Sequence, residues 1–137
     1  MKAKANCSVK LSYTFSKVLD TNFLHHHYED DVEQIYFVFG IFLSATAKEF
    51  EALVSNMEGI ELEVIIQKIH KIKPNFLLVG LKDLYVNLNS LELNGPLIGK
   101  QVTTHKLKSL YQKYEEIYLP ILTKEVEKLN KIVSGPY

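Results

Sequence analysis

The sequence predicts an all-α protein: an antiparallel four-helix bundle with a short extra helix on its N-terminal side. Apolar residues recur at helical spacing in four long stretches, and no segment alternates apolar and polar residues with period two. Of the 137 residues, 47% are apolar and 11% aromatic, which suffices for one buried core. We therefore expect a single domain over residues 1–137, with residues 1–12 as a loose N-terminal segment.

The first half of the chain contains two long apolar stripes at helical spacing. One begins at Asp31, where acidic residues suit the positive end of a helix dipole, and stops at Gly59. The next runs from Leu62 to Gly80. A short helix is expected before them, over residues 13–19.

Two further stripes occupy the second half. The third helix is expected through Leu81–Leu91, with a stop at Asn94-Gly95-Pro96. The last is expected to begin at a cap, Thr103 or Thr104, and to end at Ser134-Gly135-Pro136. Pro120 lies inside this last helix and should kink it, because the proline ring crowds the carbonyl four residues earlier.

Charge and composition narrow the class of protein. The 16 basic residues balance 16 acidic ones, and all of the basic residues are lysine. Without arginine, the side chain favoured for bidentate base and phosphate contacts, nucleic-acid binding is not expected. No apolar stretch is long enough for a signal peptide or membrane span, and the single Cys7 cannot form an intramolecular disulfide, so a cytoplasmic protein is expected.

The stretch QKIHKIKPNFLLVGL, residues 67–81, carries the chemistry. Ile69 belongs to the buried stripe, so His70 points about 100 degrees away from it, toward solvent or the rim. Lys73 follows one turn later on the face of His70. A neutral imidazole is nucleophilic near physiological pH, and a nearby ammonium offsets charge on phosphoryl oxygens. This pattern suits a phosphoryl acceptor.

These residues resemble the histidine-containing phosphotransfer (HPt) domains. The family has a histidine in mid-helix, lysine three residues later and a glycine about ten later, matched here by His70, Lys73 and Gly80. Phe42-Leu43 in the preceding helix is also similar to the family. Pro74 replaces a family glycine, and its ring should kink the helix just after the histidine.

The resemblance implies a division of labour. A response-regulator receiver domain, alone or within a hybrid histidine kinase, brings the aspartate, a lysine and Mg²⁺, while this chain binds no cofactor or metal. His70 is then the phosphoacceptor, Lys73 stabilises the phosphoryl group, and Gln67 orients the histidine. The expected docking residues are Ile66, Lys68, Lys71, Pro74, Leu77 and Gly80. No ATP-binding motif is present, so a phosphocarrier without kinase activity is expected. The resemblance also implies a monomer.

Two alternatives come from other classes. A helical bundle could dock a receiver or another signalling protein without carrying phosphate, and burial of His70 would favour that reading. A metal-binding bundle is a more distant alternative suggested by His25, His26 and His27. Adjacent histidines on a helix diverge, however, and no Glu-x-x-His pair is present.

Overall fold

A computed structural model describes residues 13–135, so the predicted N-terminal segment and Cys7 lie outside the described residues. Every regular element in this range is helical, as predicted, and no strand occurs in it. The α-helices are α1 (Thr21–Tyr28), α2 (Val32–Ile41), α3 (Ala47–Asn56), α4 (Leu62–Leu78), α5 (Lys82–Lys113) and α6 (Leu119–Ser134). None of these helices is long and apolar enough to cross a membrane.

The chain from α2 to Gly59 is helical throughout, as the first long stripe predicts. A π-helical turn over Phe42–Thr46 joins α2 to α3, and a 3₁₀ turn over Met57–Gly59 ends the segment. Asp31 caps α2, because its side chain accepts a hydrogen bond from the Gln34 backbone N–H at 3.2 Å.

The short N-terminal helix lies later in the chain than expected. Residues 13–20 form an extended segment and a turn, and the helix begins only at Thr21. Asp20 supplies the cap, accepting from the Phe23 backbone N–H at 3.3 Å. The apolar side chains of Tyr13, Phe15 and Leu19 are nevertheless buried, so their spacing indicated burial and not a helix.

Gly80 allows the tight turn between α4 and α5. Its φ of +77° lies in the left-handed region. A Cβ placed there would lie 2.8 Å from Leu24 Cδ1 and 3.1 Å from the Asp20 backbone nitrogen. Gly80 therefore both ends α4 and admits the N-terminal segment close to the turn.

The predicted position of the boundary between the last two helices was wrong. The helix passes through Asn94-Gly95-Pro96 and breaks at Gly99, whose φ of 87° and ψ of 170° are not helical. Thr103 is fully buried inside the following helical stretch, so neither it nor Thr104 is the cap. Gly95 lies inside the helix and packs against Ile66, where a Cβ would lie 2.5 Å from Ile66 Cδ1.

Neither Pro74 nor Pro120, the two prolines expected to kink a helix, ends one. α4 continues through Pro74 to Leu78 without an interruption, so the kink expected after His70 is not seen as a break in the helix. Pro120 stands at the start of α6, directly after a π-helical turn over Tyr114–Tyr118. Pro120 has no backbone N–H to donate, and the wider π-helical turn lies directly before it.

The core fixes the direction in which His70 points. α4 packs mainly against α5, and α2 against α6. The predicted inward face of α4 is buried, namely Ile65, Ile69, Ile72 and Phe76. α5 contributes Leu84, Leu88 and Leu91 to the same core. With this stripe buried, the next position after Ile69 lies at the surface.

Candidate functional site

His70 stands on the surface of α4, in the middle of the helix. Its side chain is 69% exposed, so no helix covers the ring. Exposure of the imidazole distinguishes a phosphoacceptor from a docking module whose histidine is buried. The structure therefore leaves chemistry at the imidazole open.

Glu92 of α5 holds one nitrogen of this imidazole. His70 Nδ1 and Glu92 Oε2 are 2.6 Å apart. A carboxylate can only accept a hydrogen bond, so Nδ1 carries the ring proton and donates a hydrogen bond to Glu92. In neutral imidazole the lone pair then belongs to Nε2. The contact thus selects the tautomer in which Nε2 is the nucleophile.

Lys73 is turned toward α5, where it pairs with the other oxygen of Glu92. Its Nζ also contacts Asn89 Oδ1 and lies 5.9 Å from the centroid of the Tyr85 ring. The Glu92 contact is an ion pair. The Lys73 side chain is only 13% exposed. Its ammonium therefore lies among α5 side chains, and the Glu92 carboxylate stands between it and the imidazole.

The charges around Glu92 change its acidity. Desolvation raises the pKa of this carboxyl, but the hydrogen bonds and charges of Lys73 and His70 outweigh it and leave the pKa below its ordinary value. Glu92 is consequently an anion at neutral pH, one that accepts from two donors on α4.

Antiparallel packing explains why these four side chains meet. Because a tight turn at Gly80 joins α4 and α5, a step back along α4 corresponds to an equal step forward along α5. Lys73 lies level with Asn89, and three residues further His70 lies level with Glu92. Sequence reasoning missed Glu92 and Asn89, although counting equal steps outward from Leu81 would have found them.

The predicted apolar docking residues differ in exposure. Pro74 is exposed beside His70, whereas Ile66 and Leu77 are half-buried. Ile66 is partly covered by Gly95 of α5. Gly80 is buried and does not lie on the surface beside His70. Its role is structural, in the turn between α4 and α5.

The predicted docking charges line a groove between α3 and α4. Its volume is about 340 Å³, with Lys68 and Lys71 among its lining side chains and Leu53, Ile60 and Ile72 among the apolar ones. Lys71 also pairs with Glu49 of α3, with Nζ and Oε2 3.1 Å apart. An apolar groove edged by lysines thus lies on the flank of α4 that faces α3, whereas His70 is held on the flank that faces α5.

Gln67 is exposed one turn before His70, and among residues 13–135 no hydrogen bond joins the two. The orienting contact comes from Glu92 instead.

The three adjacent histidines lie on the exposed side of α1. The rings of His25 and His27 pack against aromatic neighbours, with centroids 5.2 Å from Phe15 and 5.2 Å from Phe23, respectively. Within the described part of the chain, no group of three or more His, Cys, Asp or Glu side chains could hold a metal ion.

No known protein family, no characterised protein and no solved structure shows significant similarity to this chain.

Proposed function

We propose that this protein is a histidine phosphotransfer protein, which accepts a phosphoryl group on His70 from a receiver-domain aspartate and passes it to another receiver. One observation carries the proposal. An exposed imidazole has its Nδ1 within hydrogen-bond distance of Glu92, so the neutral ring carries its lone pair on Nε2, the nitrogen that Glu92 does not hold.

The transfer step needs nothing from this chain beyond the imidazole and its support. The Nε2 lone pair attacks the phosphorus of an aspartyl phosphate, forming the N–P bond as the P–O bond to the aspartate breaks. The bonding electrons leave with the aspartate carboxylate. The ring then carries a positive charge, since Nδ1 keeps its proton, and the Glu92 carboxylate stabilises that cation. The reverse step delivers the group to a second receiver.

Lys73 is proposed to act through Glu92. Its ammonium is enclosed by Glu92, Asn89 and Tyr85, and it fixes the carboxylate that fixes the imidazole. It is therefore a positioning residue in the resting protein. Contact with the phosphoryl group, the role implied by the family resemblance, would require the Lys73 side chain to leave Glu92.

The finer fold and the partner belong to the same proposal. We infer that the segments 32–59, α4, α5 up to Gly99, and the chain from there to Ser134 make the antiparallel four-helix bundle of an HPt domain. The groove between α3 and α4 accepts an apolar helix of the receiver. Lys68 and Lys71 at its edge attract the acidic residues that surround a receiver aspartate.

Incubation with a phosphorylated receiver domain and Mg²⁺ tests the proposal. We expect acid-labile, base-stable phosphate on the wild-type chain and none on His70→Gln. The side chain of His70 is mostly exposed, so this variant should keep the stability of the wild type to within about 0.5 kcal/mol.

The control for position is His105→Gln, which replaces another exposed histidine and should keep full labelling. Binding of receivers without any label would contradict phosphotransfer and favour the docking module. Marked unfolding of His70→Gln would show instead that the histidine supports the fold.

A further inference from the structure

The end of α4 is held by the part of the chain that precedes α2. We call residues 13–31 the N-terminal layer. The Tyr28 hydroxyl donates to the Leu78 carbonyl at 2.7 Å, and the Asp20 backbone N–H donates to the Gly80 carbonyl at 2.8 Å. Carbonyl groups at a helix end lack partners within the helix. The N-terminal layer therefore supplies hydrogen-bond donors to the end of α4 and to the turn that follows it.

The Tyr28 hydroxyl is a buried donor. The residue is 2% exposed, and burial raises the pKa of Tyr28 to about 12, so the hydroxyl keeps its proton at neutral pH. Loss of this donor would leave the Leu78 carbonyl without its partner, at a site where water replaces a hydrogen bond poorly. The contact therefore constrains the position of the Leu78 backbone.

The N-terminal layer also packs directly against the main chain of the turn. A Cβ on Gly80 would lie 2.8 Å from Leu24 Cδ1 and 3.0 Å from Leu19 Cβ. Because Gly80 has no side chain, both leucines approach its backbone. Interiors packed at this density transmit displacements, so a shift of the N-terminal layer would move the turn.

Pro74 makes the second half of α4 more dependent on outside support. A proline has no backbone N–H, so Pro74 cannot donate to the carbonyl of His70, four residues earlier. The helix continues to Leu78, with one hydrogen bond fewer between the helical turn that carries His70 and the remainder. Contacts from outside α4 therefore contribute more to the position of its C-terminal end.

The position of the turn decides which residue of α5 the imidazole meets. Lys73 contacts Asn89, and His70 contacts Glu92. Each pair lies at equal steps on either side of Leu81, and consecutive helical residues rise by about 1.5 Å. A shift of α5 by one residue relative to α4 would lengthen and misalign the hydrogen bond of 2.6 Å between His70 Nδ1 and Glu92 Oε2.

We infer that Tyr28 is a positioning residue of the His70 site. It holds the Leu78 carbonyl, the end of α4 fixes the turn, and the turn keeps Glu92 level with the imidazole. Leu78 lies eight residues beyond His70, so Tyr28 acts from roughly 12 Å along the helix. The value of this geometry for phosphotransfer rests on the proposed function, whereas the geometry itself can be measured in the unphosphorylated protein.

The tautomer of His70 tests the inference. Long-range ¹H–¹⁵N correlation spectra at alkaline pH show which nitrogen of a neutral imidazole bears the proton, and the spectrum of His70→Gln identifies the signals of His70. The wild type should hold the proton on Nδ1. In Tyr28→Phe, the ratio of the Nδ1–H form to the Nε2–H form should fall by about two- to tenfold, the worth of one neutral hydrogen bond.

Tyr13→Phe is the matched control for Tyr28→Phe. Tyr13 is also a buried tyrosine of the N-terminal layer, but its hydroxyl donates to Glu125 of α6 instead of to α4. This variant should lose stability and keep the wild-type ratio of tautomers. An unchanged ratio in Tyr28→Phe would overturn the inference. An equal fall in Tyr13→Phe would also overturn it, because loss of stability alone would then explain the change.

Phosphate acceptance from a phosphorylated receiver domain, measured on the same variants, separates this inference from the proposed function. Slower acceptance in Tyr28→Phe than in Tyr13→Phe would support both. A lowered tautomer ratio in Tyr28→Phe, with no phosphate on any chain, would contradict phosphotransfer and still support the positioning of His70 by Tyr28. A wild type with the proton on Nε2 would overturn the positioning itself.

Discussion

At the scale of single residues, the reactivity proposed for His70 depends on its neighbours on α5. The imidazole is exposed, and its Nδ1 lies 2.6 Å from a carboxylate oxygen, closer than the 3.8 Å between His25 Nδ1 and Asp30 Oδ1. Lys73 holds the other oxygen of that carboxylate, while Asn89 accepts from Lys73. These contacts form a chain from Asn89 through Lys73 and Glu92 to the imidazole, and each side chain restricts the position of the next.

Replacing Glu92 tests this order. Glu92→Gln removes the negative charge, so Nδ1 can lose its proton to Nε2 and the cationic phosphoimidazole loses its counter-ion. We expect phosphate acceptance to slow roughly tenfold to a hundredfold, the worth of a hydrogen bond to a charged group. Rapid-quench transfer from a phosphorylated receiver measures the rate.

Glu49→Gln is the matched control for Glu92→Gln, since it removes a carboxylate that pairs with a lysine of α4 at an exposed site. It should transfer at the rate of the wild type. Equal slowing of both variants would mean that charge near α4, and not the contact with Nδ1, sets the rate.

Acidification should remove a stabilising contribution of Glu92. Because its pKa in the folded protein is lowered from 4.5, the folded state binds this proton less readily than the unfolded chain does. The contribution is therefore complete above about pH 4.5, and it is lost as the pH falls through the lower folded pKa. Urea unfolding of the wild type and Glu92→Gln should give a stability difference at pH 7 that shrinks toward pH 3. A difference that is constant with pH would contradict this assignment.

At the scale of elements, the turn between α4 and α5 sets which residues meet. One residue more or fewer between the helices would move Glu92 to another level or another face of α5. Gly80 makes the short turn possible through its positive φ, so a glycine ten residues from His70 determines the contacts of that histidine.

Substitution at this glycine should be costly. Gly80→Ala imposes a strained φ and places a Cβ against Leu24 and the Asp20 backbone, which we expect to destabilise the fold by about 1–3 kcal/mol. Gly59→Ala is the matched control, because nothing lies within 4 Å of a Cβ there. Thermal unfolding compares the two, and equal losses would show that the close packing at Gly80 is unimportant.

At the scale of the whole molecule, a buried carboxylate joins the beginning of the described chain to its last helix. Glu125 of α6 is only 3% exposed. Its Oε1 accepts from the Tyr13 hydroxyl at 2.7 Å, and its Oε2 accepts from the Ser16 backbone N–H at 3.2 Å. Burial and the nearby carboxylate both raise the pKa of Tyr13, so its hydroxyl stays protonated and donating.

Removing that hydroxyl should loosen the attachment. Tyr13→Phe leaves a buried carboxylate with one donor fewer, at an expected cost of about 1–3 kcal/mol. Tyr36→Phe serves as the control, since it removes an exposed hydrogen bond of 3.0 Å to Asn130 of the same helix and should cost less than about 1 kcal/mol. Chemical denaturation measures both. A loss for Tyr36→Phe as large as that for Tyr13→Phe would contradict the importance of burial.

The helical character of the chain and its buried faces could be predicted because they follow from local periodicity. Ile65, Ile69, Ile72 and Phe76 of α4 are buried as their spacing indicates. Element boundaries were harder to predict. The helix passes through Gly95, which packs against Ile66 of another helix, and no local signal contains this contact.

The sequence alone predicts that the regular elements within residues 13–135 are helices, that Ile69 faces inward and that His70 therefore faces outward, because these properties repeat with the geometry of one helix. The tertiary structure alone decided that Glu92 holds Nδ1, that Lys73 turns toward Asn89 and that Glu125 anchors Tyr13. Those contacts join residues far apart in the chain. Their geometry depends on how the helices are rotated about their axes and shifted along one another. A periodic pattern within one helix does not specify this.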